Sequence, residues 1–189
     1  MRSKYETRAL VLARAHAGEA NTFVTLLTPD LGLVYARAQS LRKTGAKLAH
    51  ALATLAESEV VLVRGKEGWR IAGAVLVENW FVRLTSPDTR AAAARVSGLV
   101  LRLVAGEAQD TRLFPIMRSF LEALAERPAD PPEAAEALAV LRILAVLGLD
   151  SGDIPGEVSD FSPPLLAGVA LDRAEYVARI NTGIAASGL

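Results

Sequence analysis

The chain has 189 residues, of which 51% are hydrophobic, and its 21 Lys and Arg residues balance 21 Asp and Glu residues, so the formal net charge is zero. This length and composition allow one large domain or two small ones with real hydrophobic cores. Because the chain contains no cysteine, disulfides, thiolate metal sites and cysteine nucleophiles are excluded. The N-terminal segment lacks the apolar run of a secretion signal, and every apolar run is too short to span a membrane, which favours a cytoplasmic protein.

The balance of charge hides an asymmetry along the chain. Residues 1–84 hold 12 Lys and Arg against 7 Asp and Glu, whereas residues 85–189 hold 9 against 14. The first part is therefore net basic and the second net acidic, which suggests two parts with different partners, with chance as the alternative explanation. In addition, no Asp or Glu occurs from Leu31 to Ala56.

The first part, residues 1–84, is predicted to contain five β-strands separated by short turns with Gly, Pro or Asp. The predicted strands are Glu6–Ala15, Asn21–Thr28, Gly32–Gln39, Ser58–Gly65 and Trp69–Asn79. Ser40–Leu55 is predicted to be a basic loop followed by a short helix, because Leu48, Leu52 and Leu55 have helical spacing. Three strands, a helical connection and a hairpin predict a five-stranded barrel of the OB type, which closes its own edges.

The second part, residues 85–189, is predicted to be all α, so the fold class is α+β. Four segments follow the helical period, at residues 88–106, 111–127, 133–149 and from Arg173 to about residue 185. Ser86 and Pro87 form a start signal for the first helix, and Asp172 with Glu175 has the spacing of a capping box for the last. Residues 149–165 are predicted to be a loop.

The sequence contains no recognisable catalytic motif. Only two histidines occur, His16 and His50, and a structural role near turns or loops is the simpler interpretation of each. No nucleophile elbow, zinc-protease helix or phosphate-binding loop is present. Glu57 and Glu59 share one strand face and form a conceivable acid pair, but two solvated edge residues are the simpler interpretation. We therefore expect a protein that is not an enzyme and needs no cofactor or metal.

A nucleic-acid-binding surface is predicted on the first part. Binding without sequence choice needs cations along the phosphates and flat side chains on which bases stack. Tyr35 precedes Arg37 by two positions, so both side chains point to the same face of the third strand. The candidate binding residues are Arg37, Arg42, Lys43, Lys47, Tyr35, Lys66, Trp69 and Arg70. A place in the core is the alternative for each aromatic residue, and a solvated loop is the alternative for the lysines.

The stretch GEANTFVTLLTPDLGLVYARAQSLRK, from Gly18 to Lys43, resembles the signature of the RecO family of bacterial recombination mediators. In that family a Gly-Glu-x-Asp-x-(Ile/Val)-Val-Thr-Leu-Leu-Thr run leads through a Gly turn to a basic segment. The matching positions are Gly18, Glu19, Val24, Thr25, Leu26, Leu27, Thr28 and Gly32. The resemblance covers about residues 5–80 and returns in AVLRILAVLGL at residues 139–149.

Three departures from the family pattern stand out. Asn21 replaces the Asp, and the family's Lys-Gly-Ala-Arg-Arg stretch loses its Gly while keeping its positive charge. Many members also carry a four-cysteine zinc site after the Leu-Gly segment, and this chain has no cysteine. Packing and proline are therefore expected to hold the loop at residues 149–165.

The resemblance implies an N-terminal OB fold, a C-terminal helical domain and no catalysis. Members of the family bind single- and double-stranded DNA, anneal complementary strands and help a RecR partner to load RecA. They also bind the acidic, Phe-ended tail of the single-stranded DNA-binding protein through the helical domain. For that tail the candidates are Arg142, Arg102 and Arg118, with a snorkelling surface role as the alternative for Arg142. The rival interpretation of the whole chain is an adaptor whose barrel binds an acidic protein rather than DNA, and an enzymatic or small-molecule role ranks third.

Overall fold

The computed structural model describes residues 3–17, 21–39, 47–104 and 110–188. The chain divides into two compact units, one of residues 1–82 with 105–114 and the other of residues 83–104 with 115–189. The first unit is built on a β-sheet, and the second is helical. The predicted α+β fold class is therefore confirmed.

Five strands form the sheet of the first unit, with bounds close to those predicted. They are β1 (Ser3–Ala17), β2 (Asn21–Thr28), β3 (Gly32–Gln39), β4 (Ala56–Gly65) and β5 (Gly68–Asn79), and a short helix, α1 (Lys47–Ala51), precedes β4. The sheet closes into a barrel in the order β1-β2-β3-β5-β4. All neighbouring strands are antiparallel except β3 and β5, which are parallel. This topology confirms the predicted barrel of the OB type.

The turn between β2 and β3 depends on Thr28 and Gly32, two positions of the sequence motif described above. The hydroxyl of Thr28 donates a hydrogen bond to the carbonyl oxygen of Gly32 at 3.0 Å and accepts one from the backbone N–H of Leu31 at 3.0 Å. Gly32 has a φ of 67°, a left-handed conformation that glycine adopts without a steric penalty. The motif therefore encodes a tight hairpin that sets the register of β3 against β2.

Alternation along the strands separates the barrel core from its outer surface. In β2 and β3 the side chains of Val24, Leu26, Val34 and Ala36 are fully buried, and the intervening residues lie on the outer face. The other members of the buried cluster are Ala9, Val11, Ala38, Leu52, Ala56, Val60, Leu62, Trp69 and Ile71. Because burying one Val, Leu or Ile side chain contributes about 1.5–3 kcal/mol, this cluster dominates the stability of the barrel.

Six helices follow β5 in the described part of the chain, and four of them lie close to predicted positions. The six helices are α2 (Trp80–Arg83), α3 (Pro87–Leu103), α4 (Leu113–Glu126), α5 (Glu133–Val146), α6 (Pro163–Leu171) and α7 (Arg173–Ala186). As predicted, the side-chain oxygen of Ser86 caps α3 by accepting a hydrogen bond from the backbone N–H of Asp88 at 3.2 Å. α5 is buried on all sides from Ala137 to Leu144 and packs against α3, α6 and α7. Among the described residues, no helix combines the length and the apolar character needed to cross a membrane.

Two expectations for the C-terminal helices are wrong. The loop predicted at residues 149–165 gives way to α6 at Pro163, with Ser162 at the N-cap position. Proline suits the first turn of a helix, where backbone N–H groups have no intrahelical acceptor, so the Pro-Pro pair marks a helix start rather than a loop. α7 begins at Arg173 as predicted, but no side-chain hydrogen bond caps it, so the capping box at Asp172 is not formed.

Arginine side chains, rather than packing and proline alone, hold the segment between α5 and α6. Arg179 of α7 donates two hydrogen bonds to the carboxylate of Asp150, at 3.1 and 2.6 Å, and one to the carbonyl oxygen of Asp153 at 2.9 Å. Arg127 donates to the carbonyl oxygen of Phe161 at 2.7 Å. The hydrogen bonds from Arg179 hold the pKa of Asp150 below its ordinary value.

Asp150→Asn is expected to lower the free energy of unfolding by about 2 kcal/mol at neutral pH, because it removes one charge from a largely buried ion pair. Since folding lowers the pKa of Asp150, its stabilising contribution is present above the unfolded-state pKa of roughly 4. That contribution is lost as the pH falls through the lower, folded-state pKa. Denaturant unfolding of both proteins between about pH 7 and about pH 3 measures the difference. A difference that stays constant over this range would contradict the assignment.

Candidate nucleic-acid interface

The parallel pairing of β3 with β5 brings Arg37 and Arg70 side by side. These two residues are register partners, next to the pair formed by Ala36 and Trp69. Because Ala36 and Trp69 lie in the barrel core, Arg37 and Arg70 lie on the opposite, outer face. Two cations that are far apart in the sequence therefore occupy one strip of the barrel surface.

The hairpin between β4 and β5 adds further cations to this strip. A cleft of about 760 Å³, here called the hairpin cleft, is lined by Ser3, Arg37, Val63, Arg64, Gly65, Lys66, Glu67, Gly68, Trp69 and Arg70. Four of these side chains are basic and one is acidic. The acidic residue, Glu67, has its carboxylate 3.7 Å from the guanidinium of Arg37. The hairpin cleft is therefore net positive, which suits a phosphate backbone.

The basic segment without Asp or Glu, from Leu31 to Ala56, is described only in part. Arg42 and Lys43 lie outside the described residues. Lys47 is the first residue of α1, and its side chain is also outside the description. Arg37 is described, and its side chain is 35% exposed. The roles of Arg42, Lys43 and Lys47 stay predictions.

Trp69, predicted to stack on a base, is corrected to a core residue. Its side chain is only 6% exposed. The ring of Tyr5 packs edge-on against it, with 5.2 Å between the ring centroids, and the guanidinium carbon of Arg64 lies 5.1 Å from the Trp69 ring centroid. The indole is thus buried and in contact with Tyr5 and Arg64, and Trp69 lines the hairpin cleft rather than binding a ligand through an exposed ring.

Two exposed aromatic rings lie beside the arginine pair. Tyr35 is 49% exposed, and Phe23, which sequence reasoning missed, is 47% exposed. Phe23 is the register partner of Arg37, and Tyr35 pairs with Thr25 on the same outer face. An aromatic residue within a β-branched run is usually assigned to the core. The alternation of β2, with Val24 buried, is the signal that would have placed Phe23 outside.

Glu57 and Glu59 do not form an acid pair. Glu59 is exposed, as expected, but Glu57 is only 1% exposed, so the expectation that both are solvated edge residues is wrong. The Glu57 carboxylate accepts a hydrogen bond from the indole N–H of Trp80 at 3.2 Å and lies 3.4 Å from the guanidinium of Arg8. Glu57 therefore anchors the end of β5 rather than supplying an acid or a base for catalysis.

The zinc site implied by the family resemblance does not fit these residues. The chain has no cysteine. Within the described ranges, no group of three or more His, Asp or Glu side chains is arranged to hold a metal ion. His16 on β1 and His50 on α1 are both exposed, and the carboxylate of Asp150 is bound to Arg179. The described residues therefore do not provide the donor set that such a zinc site needs.

Arg142, predicted to bind an acidic tail, is corrected to a structural residue that is 3% exposed. Its guanidinium donates hydrogen bonds to the carbonyl oxygens of Pro155, Val158 and Asp160, at 3.0, 3.1 and 2.8 Å. It also lies 4.9 Å from the ring centroid of Phe161. Burial lowers the pKa of Arg142 below the ordinary arginine value. The alternative that Arg142 snorkels to solvent is wrong as well, because the guanidinium points into the segment between α5 and α6.

A groove of the second unit contains Arg102, one of the two remaining candidates for binding the acidic tail. This α3–α5–α7 groove of about 450 Å³ is lined by Arg95, Val96, Leu99, Arg102, Glu133, Glu136, Ala137, Val140, Arg173, Val177, Ile180 and Ile184. Its floor is apolar, since Val96, Leu99 and Val140 are buried. Arg102 is exposed at this groove, whereas Arg118 is not part of it and pairs with Glu122 at 3.1 Å.

The geometry defines an OB-fold module followed by a helical unit, a class in which the barrel commonly binds oligonucleotides or oligosaccharides. Residues 1–80 match the family described as Recombination protein O N terminal. This match confirms the resemblance to the RecO family that was found in the sequence.

Several curated relatives carry the name DNA repair protein RecO. The protein from Dehalococcoides mccartyi strain BAV1 is 36% identical over 120 residues, which are 64% of this chain and 47% of that protein. The protein from Heliobacterium modesticaldum is 30% identical over 167 residues, 84% of this chain and 59% of the relative. The protein from Rubrobacter xylanophilus is 29% identical over 168 residues, 84% of this chain and 67% of the relative. The chain thus spans about half the length of the Dehalococcoides relative.

Arg142→Met is expected to lower the free energy of unfolding by about 3 kcal/mol, because three backbone carbonyl oxygens lose their donors. Arg142→Lys should recover only part of this loss, since an ammonium group lacks the planar fork of the guanidinium. The matched control is Arg102→Met on α3, an exposed arginine, with an expected change below about 0.5 kcal/mol. Denaturant unfolding measures all three, and equal losses for the two methionine variants would argue against the structural role.

Proposed function

We propose that this chain is a RecO-like recombination mediator that binds DNA and anneals complementary single strands. The observation that carries the proposal is the pairing of Arg37 with Arg70 on the outer face of the barrel, continued by Arg64 and Lys66 in the hairpin cleft. Cations arranged in this way neutralise successive phosphates and release counterions, which gives affinity without choice of sequence. The name shared by the relatives, DNA repair protein RecO, supports the same conclusion.

Annealing follows from contacts to phosphate. Two single strands repel each other through their phosphates, and a cationic surface lowers this repulsion while the bases stay free to pair. The phosphate contacts proposed for single- and double-stranded DNA are Arg37, Arg42, Lys43, Lys47, Lys66 and Arg70. Since annealing forms only hydrogen bonds and stacking contacts between bases, the proposal includes no catalytic residue and no cofactor. Its place of action is the cytoplasm.

The α3–α5–α7 groove is the proposed site for the acidic, Phe-ended tail of a single-stranded DNA-binding protein. Its apolar floor suits the aromatic side chain, and Arg102 and Arg173 are exposed at its edge, where they can bind carboxylates. Arg95 is already bound to Glu136 through two hydrogen bonds of 2.6 Å, so it is less available. A RecR-like partner, and RecA acting indirectly, are proposed from the resemblance to the RecO family alone.

The rival proposal is an adaptor whose barrel binds an acidic protein rather than DNA. The positive charge of the hairpin cleft is compatible with both partners. The two proposals differ in one measurable property, because generic oligonucleotides bind only the mediator, with an affinity that falls steeply with salt.

The double variant Arg37→Gln, Arg70→Gln is expected to weaken DNA binding at least about tenfold for all sequences alike, because both residues are proposed to contact phosphates. With about six phosphates neutralised on a single strand, one for each proposed contact, log affinity should fall with log salt at a slope of roughly −4, and the double variant should reduce this slope to about −3. Fluorescence anisotropy with unstructured single strands and with duplexes, at several salt concentrations, measures both quantities.

Lys43→Glu with Lys47→Glu tests the basic segment in the same assay and should also weaken binding and flatten the slope. The matched control for Arg37→Gln, Arg70→Gln is the double variant Arg102→Gln, Arg173→Gln, which also removes two positive charges, here from the second unit, and should leave DNA affinity unchanged. Unchanged DNA affinity after the barrel substitutions would show that the substituted residues do not contact phosphates. Salt-independent or undetectable binding by the wild-type chain would favour the adaptor.

For an acidic peptide ending in Phe as the ligand, the double variant of the second unit becomes the test and the double variant of the barrel becomes the control. Arg102→Gln, Arg173→Gln should weaken peptide binding about tenfold, because the peptide loses charge-assisted hydrogen bonds, while Arg37→Gln, Arg70→Gln should have no effect. Isothermal titration of the full chain measures this, with a peptide lacking the terminal Phe as the ligand control. Equal binding of both peptides, or a loss caused only by the barrel variant, would place the site elsewhere.

A further inference from the structure

Phe23 and Tyr35 present their rings to solvent on the outer face of β2 and β3. They are 47% and 49% exposed, although the core residues between and beside them, such as Val24 and Val34, are fully buried. Phe23 pairs with Arg37 in the strand register, and Tyr35 pairs with Thr25. The two aromatic residues are therefore diagonal neighbours on one face, a separation of about 7–8 Å that long side chains can bridge.

Neither ring has an aromatic or cationic partner among the residues that the structure describes. Tyr5, the other exposed aromatic on a barrel strand, differs because its ring packs edge-on against Trp69. A single exposed apolar side chain is common on a protein surface, but two unstacked rings on one strip beside cations form a distinct arrangement.

The charges around these rings indicate what they bind. Arg37 lies opposite Phe23 on one side and opposite Arg70 on the other, so the rings and the guanidinium groups form one continuous strip over β2, β3 and β5. An apolar ring beside a positive charge suits a ligand that carries a flat face and an anion in each repeating unit. A single-stranded nucleic acid has this chemistry, since every nucleotide has a base and a phosphate.

We propose that Phe23 and Tyr35 form a base-stacking platform on which neighbouring bases of a single strand lie while Arg37 and Arg70 hold its phosphates. The inference rests on the proposed DNA binding and adds to it a contact to the base that does not depend on charge. Stacking uses the face of a base and leaves its Watson–Crick edge free, so a strand held in this way can still meet a complementary strand. In a duplex the base faces are covered by neighbouring pairs, and the platform therefore favours single strands.

An abasic strand separates stacking from charge, because it keeps the phosphates and removes the bases. Fluorescence anisotropy should compare oligothymidine with an abasic phosphodiester strand of equal length, about 16 nucleotides, on the full chain. Phe23→Ala and Tyr35→Ala should each weaken oligothymidine binding about tenfold and leave the abasic strand and the salt slope unchanged. Tyr35→Phe keeps a ring and should retain wild-type affinity, whereas Phe23→Leu keeps apolar bulk and should lose affinity as alanine does.

The matched control is Val75→Ala, an exposed apolar residue of β5, which should bind both strands as the wild type does. Circular dichroism and thermal unfolding establish that each variant is folded. The platform is refuted if the alanine variants bind oligothymidine normally, or if they weaken both strands equally. The proposed DNA function fails separately, and this inference with it, if the wild-type chain binds neither strand.

Discussion

The parallel pair between β3 and β5 is the contact on which the surface of the first unit depends, because it closes the barrel and fixes which residues face outward. It aligns Ala36 with Trp69 on the inner side and Arg37 with Arg70 on the outer side. A shift of one residue in this register would exchange the two faces, placing an arginine in the core and an indole in solvent. The cost of burying that unpaired charge makes the observed register strongly preferred. Burial of apolar side chains therefore determines where the candidate phosphate contacts lie.

Local patterns were sufficient to predict the strands, the barrel and most helix bounds, because each depends on the residues of its own segment. The face of an aromatic residue was harder to predict. Phe23 and Trp69 both occur in runs typical of strands, yet the structure exposes one and buries the other. Trp69 stands next to the hairpin at the start of β5, and its burial and its pairing with Ala36 of β3 show that it points inward. Long-range register, which no local pattern encodes, thus placed Arg70 beside Arg37, whereas for Phe23 the alternation of β2 was a local signal.

Arg142 illustrates a second limit of the sequence. A lone cation in an apolar helix has two physical explanations: it binds a ligand, or it is a buried hydrogen-bond donor. The residues around Arg142 in the sequence fit either explanation. The acceptors that settle the question are backbone carbonyl oxygens of Pro155, Val158 and Asp160, and a carbonyl acceptor is present at every residue of any sequence. A planar fork with several donors can join three such acceptors, so one arginine organises a segment that has little regular structure.

The zero net charge of the chain constrains how the proposed partners are recognised. Without a large net charge, a distant anion is not drawn to the protein as a whole, and charges more than about 10 Å apart are screened at physiological salt. Recognition then depends on local arrangements, such as four basic side chains against one acidic side chain in the hairpin cleft. The affinity of such a cluster falls as salt rises, whereas stacking on exposed rings is much less sensitive to salt. A surface that combines Arg37 and Arg70 with Phe23 and Tyr35 can therefore retain a single strand after much of its electrostatic attraction has been screened.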